Sequence, residues 1–215
     1  MSAPDAQPQQ VVLAIGVDIG EVWQDERQHW LVHRAGETVT LDEREYRLWQ
    51  HCRRLPEPAD PGAVPSRGLD DVLAEASNAG MSDPGSVLQQ LADERLVASI
   101  VIPGDDTIGL AARLRALPRA VGAGVLPDLR GMALIGMPAA PLALVPPSVY
   151  SVYVLSAAHG SLLSACDEVV ARQVAAGGLH EGADPGDLVD AFFSYAPDLI
   201  SAGALALDLT THRGS

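Results

Sequence analysis

The sequence predicts an α+β fold made of two tandem copies of one small unit, each an antiparallel sheet followed by three helices and a closing strand. The first observation behind this is an internal repeat. RQHWLVHRAGETVTL from Arg27 and RGMALIGMPAAPLALV from Arg130 align without a gap 103 positions apart, setting Leu31 on Leu134, Val32 on Ile135, Val39 on Leu142 and Leu41 on Leu144. LDDVL (Leu69–Leu73) matches CDEVV (Cys166–Val170), Asp83-Pro84-Gly85 matches Asp184-Pro185-Gly186, and Leu96-Val97 matches Leu199-Ile200, all in the same order. The second observation is patterning: in each copy β-type runs come first and stripes of helical spacing follow. On this reading residues 1–10 are a disordered tail, 11–104 the first unit, 105–119 a linking helix, 120–209 the second unit and 210–215 a tail.

The elements follow in order. Val11–Val22 is β-branched and reads as a strand, His29–Arg34 alternates as a second, and Glu37–Leu41 forms a third beyond the Ala35-Gly36 turn. Asp42 caps a first helix, with Glu45 completing a capping box and Tyr46, Trp49 and Cys52 on one face. RLPEPADPGAVPSRG, from Arg54 to Gly68, has neither period and reads as a loop. A second helix runs over 70–78 with Val72, Leu73 and Ala76 inward. A third starts at Ser82 or Asp83, with Pro84 in its first turn and Val87, Leu88 and Leu91 as its stripe. Leu96–Ile102 is the closing strand, and Thr107–Leu117 reads as the linking helix. In the second copy, strands are expected over 120–126, 132–137, 141–144 and 204–209, and helices over 146–158, 167–176 and 184–196. There Val149, Val152 and Leu155 take the places of Tyr46, Trp49 and Cys52.

Composition narrows the function classes. The 215 residues are 47% hydrophobic, enough to bury real cores. A net charge of −14 works against binding phosphate backbones. Cys52 and Cys166 lie in no metal-ligand spacing and read as buried reduced thiols, so no metal and no cofactor is expected. No secretory signal opens the chain, which makes the expected location cytoplasmic. Residues 131–166 carry no Asp, Glu, Lys or Arg, but Pro138, Pro141, Pro146 and Pro147 interrupt them, so a membrane span is not expected.

GETVTLDEREYRLWQHC, from Gly36 to Cys52, resembles the entry to the DNA-binding effector domain of response regulators, a winged helix-turn-helix. SVLQQLADERLVASI, from Ser86 to Ile100, resembles a helix closing on a wing in the pyrroloquinoline-quinone chaperone family, which includes leader-peptide recognition domains. The resemblance implies two winged-helix-like units, and in the first a groove where a peptide adds beside the third strand (Thr38, Val39, Thr40) and packs over the third helix (Val87, Gln90, Leu91). Val87 and Leu91 also fit plain core positions.

The alternative reading is a transcriptional regulator, with one unit on DNA and the other used for oligomerisation. It would engage Arg44, Arg47, Gln89 and Arg95, but Asp83, Asp93 and Glu94 crowd the third helix. The charge-free stretch 131–166 of the second unit fits a homodimer interface carrying Tyr150 and Tyr153. The six histidines are scattered, and neither a nucleophile elbow nor a phosphate loop is present, so no enzyme is expected. The expected work is binding a protein or peptide, basic in character if the groove is acidic, rather than nucleic acid or membrane.

Overall fold

The computed structural model describes residues 8–24, 27–54, 68–126, 131–137, 139–178 and 184–211. The first half runs β1 (Gln9–Ala14), β2 (Val17–Gln24), β3 (Arg27–Arg34), β4 (Glu37–Leu41), α1 (Glu43–Arg53), α2 (Leu69–Asn78), α3 (Pro84–Asp93) and β5 (Val97–Ile102). After α4 (Thr107–Arg113) the second half runs β6 (Leu114–Pro118), β7 (Gly122–Val125), β8 (Ala133–Met137), β9 (Ala140–Val145), α5 (Pro147–Ser156), α6 (Leu162–Ala175), α7 (Pro185–Ser201) and β10 (Leu205–Leu209). The fold is α+β with small antiparallel sheets, and each half has the same pairing. β1 pairs with β5 as β6 pairs with β10, and the orders β2-β3-β4 and β7-β8-β9 correspond.

Two strands were merged or missed in the sequence reading. Val11–Val22 is two strands with different partners, split at Gly16, whose φ of 105° favours glycine and where a Cβ would stand 2.5 Å from Val32 Cγ1. The linking helix stops at Arg113, and residues 114–118 form β6 instead, because Leu114 turns extended and the segment then alternates between core and partly open positions. The first strand of the second half is therefore β6, with β7 as its second. The tail expected over 1–10 ends sooner, since Gln9 and Gln10 already pair with Ile102 and Val101. Thr210 likewise is held, donating its N–H to Arg113 O at 2.8 Å. Residues 1–7 and 212–215, and nearly all of the 54–68 loop, lie outside the described residues.

The ladders correct the alignment of the halves. Leu41 stands opposite Trp30, and its counterpart opposite Ala133 is Val145, not Leu144, owing to a register shift between Ile135 and Gly136. From there the halves run 104 apart, so Tyr150, Tyr153 and Ser156, rather than Val149, Val152 and Leu155, replace Tyr46, Trp49 and Cys52. Asp83 and Asp184 both cap their helices, α3 and α7, with proline in the first turn, Asp83 accepting from the Ser86 N–H and Asp184 from the Gly186 N–H. However, α7 has 17 residues against 10 in α3. Leu199 and Ile200 consequently lie inside α7, and the counterparts of Leu96-Val97 are Ala204-Leu205. Both Leu96 and Ala204 return an N–H to the closing turn, to Leu91 O at 2.8 Å and Leu199 O at 2.9 Å.

The cores explain how the halves are joined. β1 is buried on both faces: Val12 and Ala14 join the smaller core with Trp49, Val72 and Leu91, while Val11, Leu13 and Ile15 join the larger core of the second half. Leu110 and Ala111 of α4 enter that larger core too, so α4 is a packed element. The strongest correspondence is a buried aromatic in each half. Trp49 Nε1 donates to Ile15 O and Leu96 O at 3.2 Å, and Tyr153 Oη donates toward Ala120 O and Ala204 O at 2.8 and 3.0 Å. Each ties the entry of its three-stranded sheet to the end of its third helix.

Cys52 and Cys166 are both free and buried. Burial pushes the Cys166 thiol up to about 12. Because the thiolate is the nucleophile, native protein at pH 8 should leave Cys166 unmodified by a thiol-exchange reagent, whereas denatured protein should react at both cysteines. Rapid native labelling of Cys166, read by peptide mass, would contradict this packing. Among the described residues, no helix is long and apolar enough to cross a membrane.

Candidate functional site

The β3–β4 hairpin sets up the site. Its two-residue turn, Ala35-Gly36, has φ of 52° and 86°, the doubly positive pair that suits the right-handed twist of a hairpin. Arg34 and Glu37 flank it, followed outward by His33/Thr38, Val32/Val39 and Leu31/Thr40. In a two-residue hairpin the flanking pair exchanges backbone hydrogen bonds and every second pair does so after it. The peptide groups of Thr38 and Thr40 therefore point away from β3. β4 is at the edge of its sheet, and among the described residues no strand pairs with that outer side.

A groove of about 850 Å³ runs along this edge. Glu37, Val39 and Thr40 form one wall. Ala92 to Arg95, at the end of α3, line the groove too, with Arg113, Leu209 and Thr210. The groove is thus built from both halves. Its hairpin wall is anchored by Asp208 of β10, which is 1% exposed. Asp208 accepts the Ala35 N–H at 2.7 Å and the Leu209 N–H at 2.9 Å, and it pairs with Arg115 at 2.8 Å. A second tie, from Gly16 N–H to Leu207 O at 2.7 Å, lies beside it.

The corresponding edge of the second half differs in its backbone donors. The residue after the flanking pair Met137/Ala140 is Pro141, at the register place of Thr38. Proline has no N–H to offer an added strand, and the β8–β9 ladder slips right beside it. Leu142 and Leu144 are exposed on this strand, 43% and 45%, which gives it an apolar surface.

Of the expected peptide-site residues, Thr38 and Thr40 lie exposed on the open edge, and Val39 lines the groove while packing on the smaller core. Val87 and Leu91 are corrected: both are core side chains, because the α3 face carrying them packs inward on Trp49 and Val72. Gln90 is exposed but turned to α1, where its amide donates to the Glu45 carboxylate. The helix residues that do reach the groove are those at the C-terminal end of α3. Arg34, Arg113 and Asp208 were missed. A lone acid in the apolar run LALDL was the one available signal for Asp208.

The residues named for DNA are dispersed. Arg44 donates to Ser82 O at 2.8 Å, and Arg47 pairs with Glu43; both line a separate cavity of about 360 Å³ with His51. Gln89 is engaged by Asp93 at 2.8 Å, and Arg95 faces the β4 groove. Tyr153 is corrected as an interface residue: it is buried, and its hydroxyl is held by three backbone groups. Tyr150 is half-buried with its ring over Gly122, where a Cβ would come within 2.5 Å of its hydroxyl. Among the described residues, no group of three or more His, Cys, Asp or Glu is placed to hold a metal ion. Comparison of the chain with protein-family models, with curated proteins and with solved structures finds no match.

Proposed function

We propose that the chain is a non-enzymatic peptide-binding module that takes up an extended segment of a partner protein as an added strand along β4. The observation that carries this is the open edge itself: outward peptide groups at Thr38 and Thr40 on a strand whose Glu37, Val39 and Thr40 line a groove of about 850 Å³. Backbone hydrogen bonds would give affinity, and the groove walls would select side chains. The contrast between the halves supports one site per chain. Unit two contributes Leu209 and Thr210 to the groove and Asp208 as an anchor, while Pro141 takes a backbone donor from its own edge.

Thr38→Pro tests the reading, because it copies into β4 what Pro141 already does in β9. The lost N–H makes no bond to β3, so the hairpin should survive, and edge strands tolerate proline. Peptides selected from a short random library against the full chain should bind Thr38→Pro at least about tenfold more weakly, the loss expected for one or two backbone hydrogen bonds. The melting temperature should stay within about 2 °C of the parent, as it does when ΔΔG is a few tenths of a kcal/mol. Selection without enrichment, or equal binding by the proline variant, would remove strand addition at β4.

A further inference from the structure

The geometry points to a carboxylate-selective position in the β4 groove, where an Asp or Glu side chain of the added strand meets Arg34. This rests on the peptide-binding reading above and names the chemistry of its ligand. Arg34, Arg95 and Arg113 all line the groove. Arg34 is the least exposed of the three: its side chain is 17% exposed, and its Nε is buried without a hydrogen-bond partner. A guanidinium donor left unpaired inside a protein is costly. An incoming carboxylate would take the terminal Nη donors, which Glu37 leaves at 4.0 Å.

The neighbouring acids do not already serve this role. Glu37 is 78% exposed and lies 4.0 Å from Arg34 Nη2, beyond hydrogen-bond distance. Asp93 accepts from Gln89, and Glu94 is within electrostatic reach of Glu45 on the α1 side. Asp208 is matched by Arg115 at 2.8 Å. Arg113, whose Nε donates to Gly109 O, lines the same groove. The partner segment is therefore acidic at one position, although the chain as a whole carries −14. A short-range bidentate pair decides this, since longer-range repulsion is screened within about 8 Å at physiological salt.

The test uses random-peptide pools selected separately against the full parent chain, Arg34→Gln and Thr38→Pro. The parent pool should show Asp or Glu enriched at one fixed position, and the Arg34→Gln pool should lose that preference. For one selected peptide, changing its acid to the amide should weaken parent binding about tenfold or more, as for a charge-assisted hydrogen bond. The same change should cost Arg34→Gln less than about twofold by double-mutant cycle. The peptide-side change on the parent chain settles the matter even if Arg34→Gln folds poorly. Peptides that need an open Thr38 edge yet show no acidic position, or an acid preference unchanged in Arg34→Gln, overturn the carboxylate position and leave strand addition standing. Binding that Thr38→Pro does not weaken overturns both.

Discussion

Truncating Trp49 to alanine should cost about 3–5 kcal/mol of stability, the range for removing a buried aromatic. The side chain is fully buried in the smaller core, with the Arg53 guanidinium 4.8 Å over its ring and Tyr46 stacked at 6.1 Å. Its indole N–H is the donor that satisfies Ile15 O, while Leu96 O also receives the Ile15 N–H at 2.8 Å. Trp49→Phe keeps most of the apolar volume and removes the donor. It should cost less, about 1–3 kcal/mol for the orphaned carbonyl together with the small void. Tyr153→Phe removes the matching hydroxyl in the other half and should fall in the same range. Because β1 is packed in both cores, Trp49→Ala should shift one cooperative urea transition rather than melt the first half alone. Two separated transitions would show that the halves fold independently. Trp49→Phe as stable as the parent would show that the indole bonds carry no weight.

Much of the first half was legible because its signals are local. Asp42 and Glu45 close the expected capping box, each accepting the other's backbone N–H at 2.8 Å, and Ala35-Gly36 makes the hairpin turn. What escaped was long-range. The break at Gly16 does not follow from the β-branched run, because it comes from β1 and β2 pairing with different strands, β5 and β3. Residues 114–118 carry Leu114 and Leu117 at helical spacing, and only pairing with β10 decides for strand. The seven extra residues of α7 moved the real repeat partners of Leu96-Val97 past a chance match at Leu199-Ile200. For the site, alternation and the turn mark β4 as a strand, and only the family resemblance points to its edge as the receiving one. The α3 side of the groove was not readable, since helical spacing picks out the buried stripe of α3 and says nothing about which of its ends meets β4.

Asp208→Ala should lower stability by about 2–4 kcal/mol, below the full cost of breaking a buried ion pair because Arg115 is 37% exposed. Strand alternation in LALDL would put Asp208 toward water, opposite Leu205, Leu207 and Leu209. It is buried because that face of β10 covers the tip of the β3–β4 hairpin, where the carboxylate takes the Ala35 N–H. Alanine strands that N–H and leaves Arg115 without its partner. Asp208→Asn keeps an oxygen for Ala35 and gives up the charge, so about 1–2 kcal/mol is expected from the weaker bonds. The two variants also separate anchoring from stability. If Asp208 holds β4 in the shape a partner strand requires, Asp208→Ala should weaken peptide binding several-fold at temperatures where the variant is fully folded, because ordering the hairpin then falls to the binding step. Amide exchange at Ala35 and through 37–41 should quicken in parallel. Unchanged affinity alongside a clear stability loss would mean that the second half supports the fold of the first but takes no part in presenting its edge.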